Sequence, residues 1–185
     1  GVSLNQSKNK KKLTQYTNKI ITDIDLFYLF HKNFKSIFVT GTNGKSTTCK
    51  IINHVLKKNK IKTLLGGNIG TPILSLNPEK NTYLIIEASS FQLAYSKFIK
   101  PNYALLLNIT NDHIDWHGNM KNYTDSKFKI FKNQKQNHYS LLNESLKFQY
   151  KKRKLLGKLI IPKFNQYKKF KSKIENKYLN LKIND

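Results

Sequence analysis

Lys45, Ser46 and Thr47 follow the apolar run Ile37 to Val39 across a turn that contains Gly41 and Gly44, and residues of these types in this order suit one kind of chemistry. Glycines let the backbone curl so that successive N–H groups point at one anion, and a helix starting near Lys45 turns its positive dipole end to the same spot. The stretch Gly41-Thr42-Asn43-Gly44-Lys45-Ser46-Thr47 therefore reads as a phosphate-binding loop for a nucleoside triphosphate. Lys45 would sit against the β- and γ-phosphates and Ser46 would offer its hydroxyl to Mg²⁺. The general pattern has a glycine where Val39 stands, so the motif is met in its GK[ST] half. A strand, a turn and a helix with a solvated lysine have the same composition. The apolar run before the turn and the helical pattern after it favour the phosphate loop.

Three further groups of side chains could act beside such a loop. Glu87 ends the apolar run Tyr83-Leu84-Ile85-Ile86 and is followed by Ser89, Ser90 and Gln92. A carboxylate at a strand end can hold Mg²⁺, which prefers hard oxygen ligands, although a glutamate capping the next helix would occupy the same place. His113 lies between Asp112 and Asp115, where it could be a metal ligand, a general base or a hydrogen-bonded loop histidine. Lys127, in Thr124-Asp125-Ser126-Lys127-Phe128, reads on composition as one more solvated lysine.

Hydrophobic patterning supplies the elements that must position them. Strands are expected at residues 36–40, 61–65, 83–87 and 103–109, with two more near 141–142 and 159–161. Helices are expected at 45–58 and 120–131, a lysine-rich helix between the last two strands, and a short helix within 20–34 carrying Ile24, Phe27, Tyr28 and Phe30. Residues 66–72 form a second glycine-rich loop, and 1–19 read as linker. Continuous apolar strands separated by helices imply an α/β fold, three-layer, with a mostly parallel sheet. Ligands of such sheets bind at the carboxyl ends of the strands, where the loop, Glu87 and His113 all fall.

Composition narrows the class of partner. The 185-residue chain carries a formal net charge of +24, yet Arg153 is its sole arginine. Arginine is the residue that reads guanine edges and clamps phosphates bidentately, so an excess made of lysine argues against specific nucleic-acid recognition. The single cysteine, Cys49, can form no internal disulfide and suits a reducing cytoplasm. No apolar run approaches the roughly 20 residues of a membrane span. A cytoplasmic monomer without membrane or specific nucleic-acid partners is expected.

The motifs GTNGKST at 41–47, GGNIGTP at 66–72, EASSFQL at 87–93 and DHIDWHGNMKNYTDSKFKIF at 112–131 resemble, in order and spacing, those of the Mur ligases, the ATP-dependent amino-acid ligases of peptidoglycan synthesis. That family's phosphate loop has the same shortened form. SSFQL and GGNIG are similar to the members that add D-glutamate to UDP-N-acetylmuramoyl-L-alanine, and Ile24-Asp25-Leu26-Phe27 looks like their element joining the N-terminal and central domains. The resemblance implies ATP and Mg²⁺ as cofactors and an acyl-phosphate intermediate. It implies nucleotide contacts from the 41–47 loop, magnesium ligands in Ser46, Glu87 and His113, and catalytic roles for Lys45, His113 and Lys127, the last carbamylated so that it too helps to hold magnesium. Asn68, Ser89 and Gln92 match positions that contact the muramoyl-alanine substrate. Residues 1–35 would be the end of a UDP-binding domain with its linker, and 36–185 a central ATP-binding domain incomplete at its C-terminal side. The amino-acid-binding domain would be absent, and the chain by itself inactive. A folylpolyglutamate-type ligase shares GTNGKS but is not expected to carry SSFQL, and a basic P-loop protein acting on nucleic acid leaves DHIDWHG unexplained.

Overall fold

The structure, a computed structural model, describes residues 15–162. Six parallel strands form one sheet: β1 (Lys35–Thr40), β2 (Thr63–Gly67), β3 (Tyr83–Glu87), β4 (Tyr103–Leu106), β5 (Tyr139–Leu142) and β6 (Lys158–Ile160), in the order β2-β3-β1-β4-β5-β6. Helices α1 (Asp23–Phe30), α2 (Lys45–Lys58), α3 (Ser90–Tyr95), α4 (Ile114–His117), α5 (Met120–Phe128) and α6 (Lys147–Lys152) connect or precede them. The chain runs from β1 out to β2, returns through β3, and then crosses to β4 on the other side of β1. That reversal leaves a crevice at the carboxyl ends of β1 and β4, the place where parallel sheets bind ligands.

Alternation along β1 explains the three layers. Ile37 and Val39 pack with Ile85 and Cys49 and with Ile52 and Leu56 of α2 on one face. Phe38 points the other way, into a larger cluster with Ile24, Phe27, Leu93, Phe128, Phe131 and Tyr150. Both faces of the sheet are thus covered, which is what its uninterrupted apolar strands require.

Element boundaries depart from the sequence reading where the backbone has a second task. Strand β2 runs on through Gly66 and Gly67, residues expected in a loop, because they pair with Ile86 and Glu87 of β3. Strand β4 stops at Leu106 rather than near 109, since Leu107 bonds Thr40 at the end of β1 and the chain then turns over the phosphate loop. The expected helix 120–131 is α5 followed by a 3₁₀ turn, Lys129–Phe131. Helix α1 buries Ile24 and Phe27, but Phe30 points outward, 78% exposed, against expectation. The short helix α3 is the one that a capping Glu87 would have preceded, and its cap is Ser89, while α4 has no counterpart in the sequence pattern. Residues 1–14 of the expected linker and residues 163–185 of the expected central domain lie outside the described residues.

Helix α1 is fastened by its acids. Thr22 and Asp25 form a capping box at its N-terminus. Asp25, fully buried, also accepts the N–H groups of Lys97 and Phe98 at 2.8–3.0 Å. A buried carboxylate is tolerated only with such donors.

Candidate active site

Strand β1 delivers the loop 41–44 to the N-terminus of α2. Gly44 occupies the left-handed region (φ 83°), which a side chain would disfavour, and no side chain caps the helix. Helices α1, α3 and α5 are each capped by Thr22, Ser89 and Asn119. The first N–H groups of α2 are therefore directed to the crevice with the helix dipole behind them, an arrangement made for an anion. Lys45 lies across this mouth, its Nζ donating to the Thr42 carbonyl at 2.8 Å.

Glu87 arrives from β3, whose register sets it beside Val39 on one side and Gly67 on the other. It is 2% exposed, and its two carboxylate oxygens are shared between two donors. Ser46 Oγ donates to Oε2 at 2.6 Å, and Asn68 Nδ2 donates to Oε1 at 3.0 Å. Gly67 is required here, since a Cβ on it would lie 2.4 Å from the Glu87 carbonyl oxygen and its φ is +103°. Hydroxyl and carboxylate oxygens adjoining a phosphate loop are a hard-oxygen set of the kind Mg²⁺ takes. Ser46 and Glu87 therefore fit the ion. His113 and Lys127 add no carboxylate as they stand, and no group of three acidic, histidine or cysteine side chains able to hold a metal occurs among the described residues.

Lys127, on composition a surface residue, is buried at 2% exposure. Its Nζ donates to the Gly41 carbonyl at 2.8 Å and lies 4.7 Å from the centre of the Tyr123 ring. Burial pushes its pKa down to about 7, the Lys45 charge pushes the same way, and Asp112 partly opposes them. The helix α5 that carries it is held under the loop by Tyr123, whose hydroxyl meets Thr42 Oγ1 at 3.0 Å.

His113 stands at the start of α4 in the left-handed region (φ 52°), half exposed, with its Nε2 3.4 Å from Asp112. Phe91 of α3 lies 4.8 Å from its ring. Sequence reading passed over His117, four residues on. It is buried, Nε2 meets Ser90 Oγ at 3.0 Å, and Phe91, Trp116 and Tyr123 surround the ring. Burial lowers its pKa to about 4, the His113 and Lys127 charges add to the shift, and Asp115 opposes it. His117 is thus a neutral fastener joining α3 to the 112–118 segment. The repeat of histidine at i and i+4 was the available signal, and its use as packing was invisible without the fold.

The expected substrate contacts are also engaged within the chain. Ser89 and Gln92 form the capping box of α3, and Gln92 Nε2 donates to Asp23 of α1 at 3.2 Å. The structure brings the 41–47 loop, Glu87 and Asn68 together, with Lys127 beneath the loop. Cys49, one turn along α2, is no nucleophile: burial and then Glu87 push its thiol up to about 12, against the opposing charge of Lys45.

Fold and site together define a parallel α/β domain in which the uncapped N-terminus of α2 and the Ser46–Glu87 pair meet at the carboxyl ends of the strands. The Mur ligase middle domain matches residues 39–182, and the chain belongs to that family. It is 44% identical over 124 residues to the UDP-N-acetylmuramoylalanine--D-glutamate ligase of Rickettsia bellii, covering 67% of this chain and 27% of that protein. With the enzyme of the same description from Wolbachia pipientis it shares 47% over 121 residues, 65% of this chain and 24% of the relative. The chain thus spans about a quarter of the length of these relatives. A solved MurF ligase of Thermotoga maritima in complex with ADP overlays with a TM-score of 0.56 at 21% identity, over 84% of this chain and 36% of that one. At that identity the likeness is one of fold. No helix among the described residues is long and apolar enough to cross a membrane.

Proposed function

We propose that this chain is the ATP-binding middle portion of a ligase that joins D-glutamate to UDP-N-acetylmuramoyl-L-alanine in the cytoplasm. The relatives of 44% and 47% identity carry that activity in their descriptions, and the observation in this chain that supports it most is the uncapped N-terminus of α2 facing the Ser46–Glu87 pair. The two substrates, the monomeric state and the assignment of residues before 36 to the end of a UDP-binding domain belong to the same proposal.

In the reaction, a substrate carboxylate oxygen attacks the γ-phosphorus of ATP and the bond to the β-bridging oxygen breaks, releasing ADP. The D-glutamate amine then attacks the acyl carbon, phosphate leaves, and an amide forms with loss of one proton. The chain's part in the first step is electrostatic and geometric. The N–H groups at the start of α2 hold the phosphates, and Lys45 balances charge on the group in transfer. Ser46 and Glu87 would hold one Mg²⁺ and His113 would help to place a second; the ions would supply neutralisation of phosphate charge. Asn68, Ser89 and Gln92 would lie toward the muramoyl substrate.

Lys127 is proposed to carry a carbamate, formed when its neutral amine bonds to the carbon of CO₂ and releases a proton to solvent. A pKa near 7 leaves about half of the side chain neutral at pH 7, against about one part in three thousand for an ordinary lysine. Nucleotide titration by calorimetry tests the core of the reading. Lys45→Ala is expected to weaken ATP binding by about 2 kcal/mol through loss of a charge-assisted contact, and Glu87→Gln to remove its dependence on Mg²⁺. ATP affinity equal in the wild type and in Lys45→Ala would sink the assignment.

A further inference from the structure

The end of β4 holds the phosphate loop by a paired amide contact. Asn108 Oδ1 accepts the Asn43 N–H at 2.9 Å, and Asn108 Nδ2 donates to the Asn43 carbonyl at 3.1 Å. The Asn108 carbonyl also accepts the Thr42 N–H at 3.1 Å. One residue therefore takes both N–H groups in the middle of the loop and one of its carbonyls. Two residues further on, Thr110 donates its N–H to Thr42 Oγ1 at 3.0 Å, the same oxygen that meets Tyr123.

The placement of Asn108 is fixed from below. Thr40 pairs with Leu106 in the last register of β1 and β4, and Leu107 N–H donates to the Thr40 carbonyl at 3.0 Å. The loop and the 107–108 segment are in close contact, for a Cβ on Gly41 would lie 3.1 Å from that of Leu107. Asn108 thus leaves the sheet at a determined height, with its side chain against the loop.

We propose that Asn108 is a positioning residue for nucleotide binding, which resolves the N–H groups of the loop into two sets. Those of Thr42 and Asn43 are committed to Asn108, and those from Gly44 onward, at the uncapped start of α2, are left for the phosphates. This inference rests on the nucleotide reading above and adds to it. A loop already held in its binding shape loses little freedom when the phosphates arrive, and that saving appears as affinity. The same asparagine begins the stretch that carries Asp112 and His113, and the His113 ring lies 6.4 Å from that of Tyr123, whose hydroxyl meets Thr42 of the loop.

Asn108→Ala and Asn108→Asp separate this role from a general contribution to folding. Aspartate keeps an acceptor for Asn43 N–H, loses the donor to its carbonyl and adds a negative charge beside the phosphates. In the alanine variant, exchange of the Asn43 amide with solvent, followed by NMR, is expected to accelerate roughly tenfold, while that of Thr48, which bonds Gly44 inside α2, stays as in the wild type. Affinity for ADP is expected to fall roughly tenfold in Asn108→Ala and further in Asn108→Asp, with the ratio of ADP to AMP affinity falling in both. Unchanged Asn43 exchange in Asn108→Ala overturns the clamp, whatever happens to nucleotide binding. Faster exchange with ADP affinity unchanged overturns the positioning role. Loss of ADP and AMP affinity by equal factors, together with faster exchange at Thr48, also overturns it, since that is the pattern of general loosening. A wild-type chain that takes up no ADP refutes the nucleotide reading itself, and the Asn43 comparison still decides the clamp.

Discussion

Replacing Lys127 by methionine should flatten the dependence of stability on pH. The buried amine has a folded-state pKa near 7, against about 10.5 for an exposed lysine. Between those values the unfolded chain holds the proton and the folded chain releases it, so wild-type stability rises with pH across that window and levels off above it. From pH 7 to 9 the linkage amounts to about 2 kcal/mol, because the folded form is already half deprotonated at the lower end. Lys127→Met keeps the length and apolar stem of the side chain and removes the titration. Urea unfolding of both proteins at pH 7, 8 and 9 provides the measurement, and only the difference between them is used. Lys129, whose pKa burial also lowers, and Cys49, whose pKa burial raises, titrate alike in the two proteins and cancel. Wild type should gain about 2 kcal/mol on the mutant over this interval. Parallel profiles would show that Lys127 is charged and solvated at pH 7, and the proposed carbamate would lose its chemical basis.

Ser90→Ala should destabilise the fold by about 1–3 kcal/mol, measured by urea titration, because it strips the partner from the buried Nε2 of His117. The His117 ring should stay neutral down to about pH 4 in an NMR titration, so stability falls as pH drops from about 6.5 toward 4; an imidazole midpoint near 6.5 would contradict the packed geometry. Gly67→Ala should cost about 3 kcal/mol by thermal unfolding, since its Cβ meets the Glu87 backbone, whereas Gly70→Ala, with open space but a φ of +61°, should cost about 1 kcal/mol; equal effects would mean that the contact with β3 is looser than the structure has it. Duplex DNA should bind weakly, without sequence preference, and dissociate as salt is raised in a fluorescence titration; selective binding at physiological salt would make nucleic acid a genuine partner.

The sequence by itself determined the parallel α/β class and the place of the glycine-flanked turn between β1 and α2, because both are local. Apolar runs such as Ile37 to Val39 must be buried on two faces, and Gly-Lys-Ser at a strand end admits few other uses. Glu87 was legible for the same reason, as a charged residue closing a run of four that are buried or half-buried. The motif order was enough to point to the family. Tertiary structure alone decided what depends on register and burial. Composition reads Lys127 as a solvated cation, and only the docking of α5 under the loop makes it a buried amine on the Gly41 carbonyl. His117 and Ser90, 27 positions apart, become partners because Phe91, Trp116 and Tyr123 close around them. Gly67 looked like loop and proved to be strand, since pairing with Glu87 is a property of two strands and not of one. Asn108 shows the limit most clearly. Its amide has no recognisable local pattern, and its use arises because β1 and β4, 65 residues apart at the contact, end side by side.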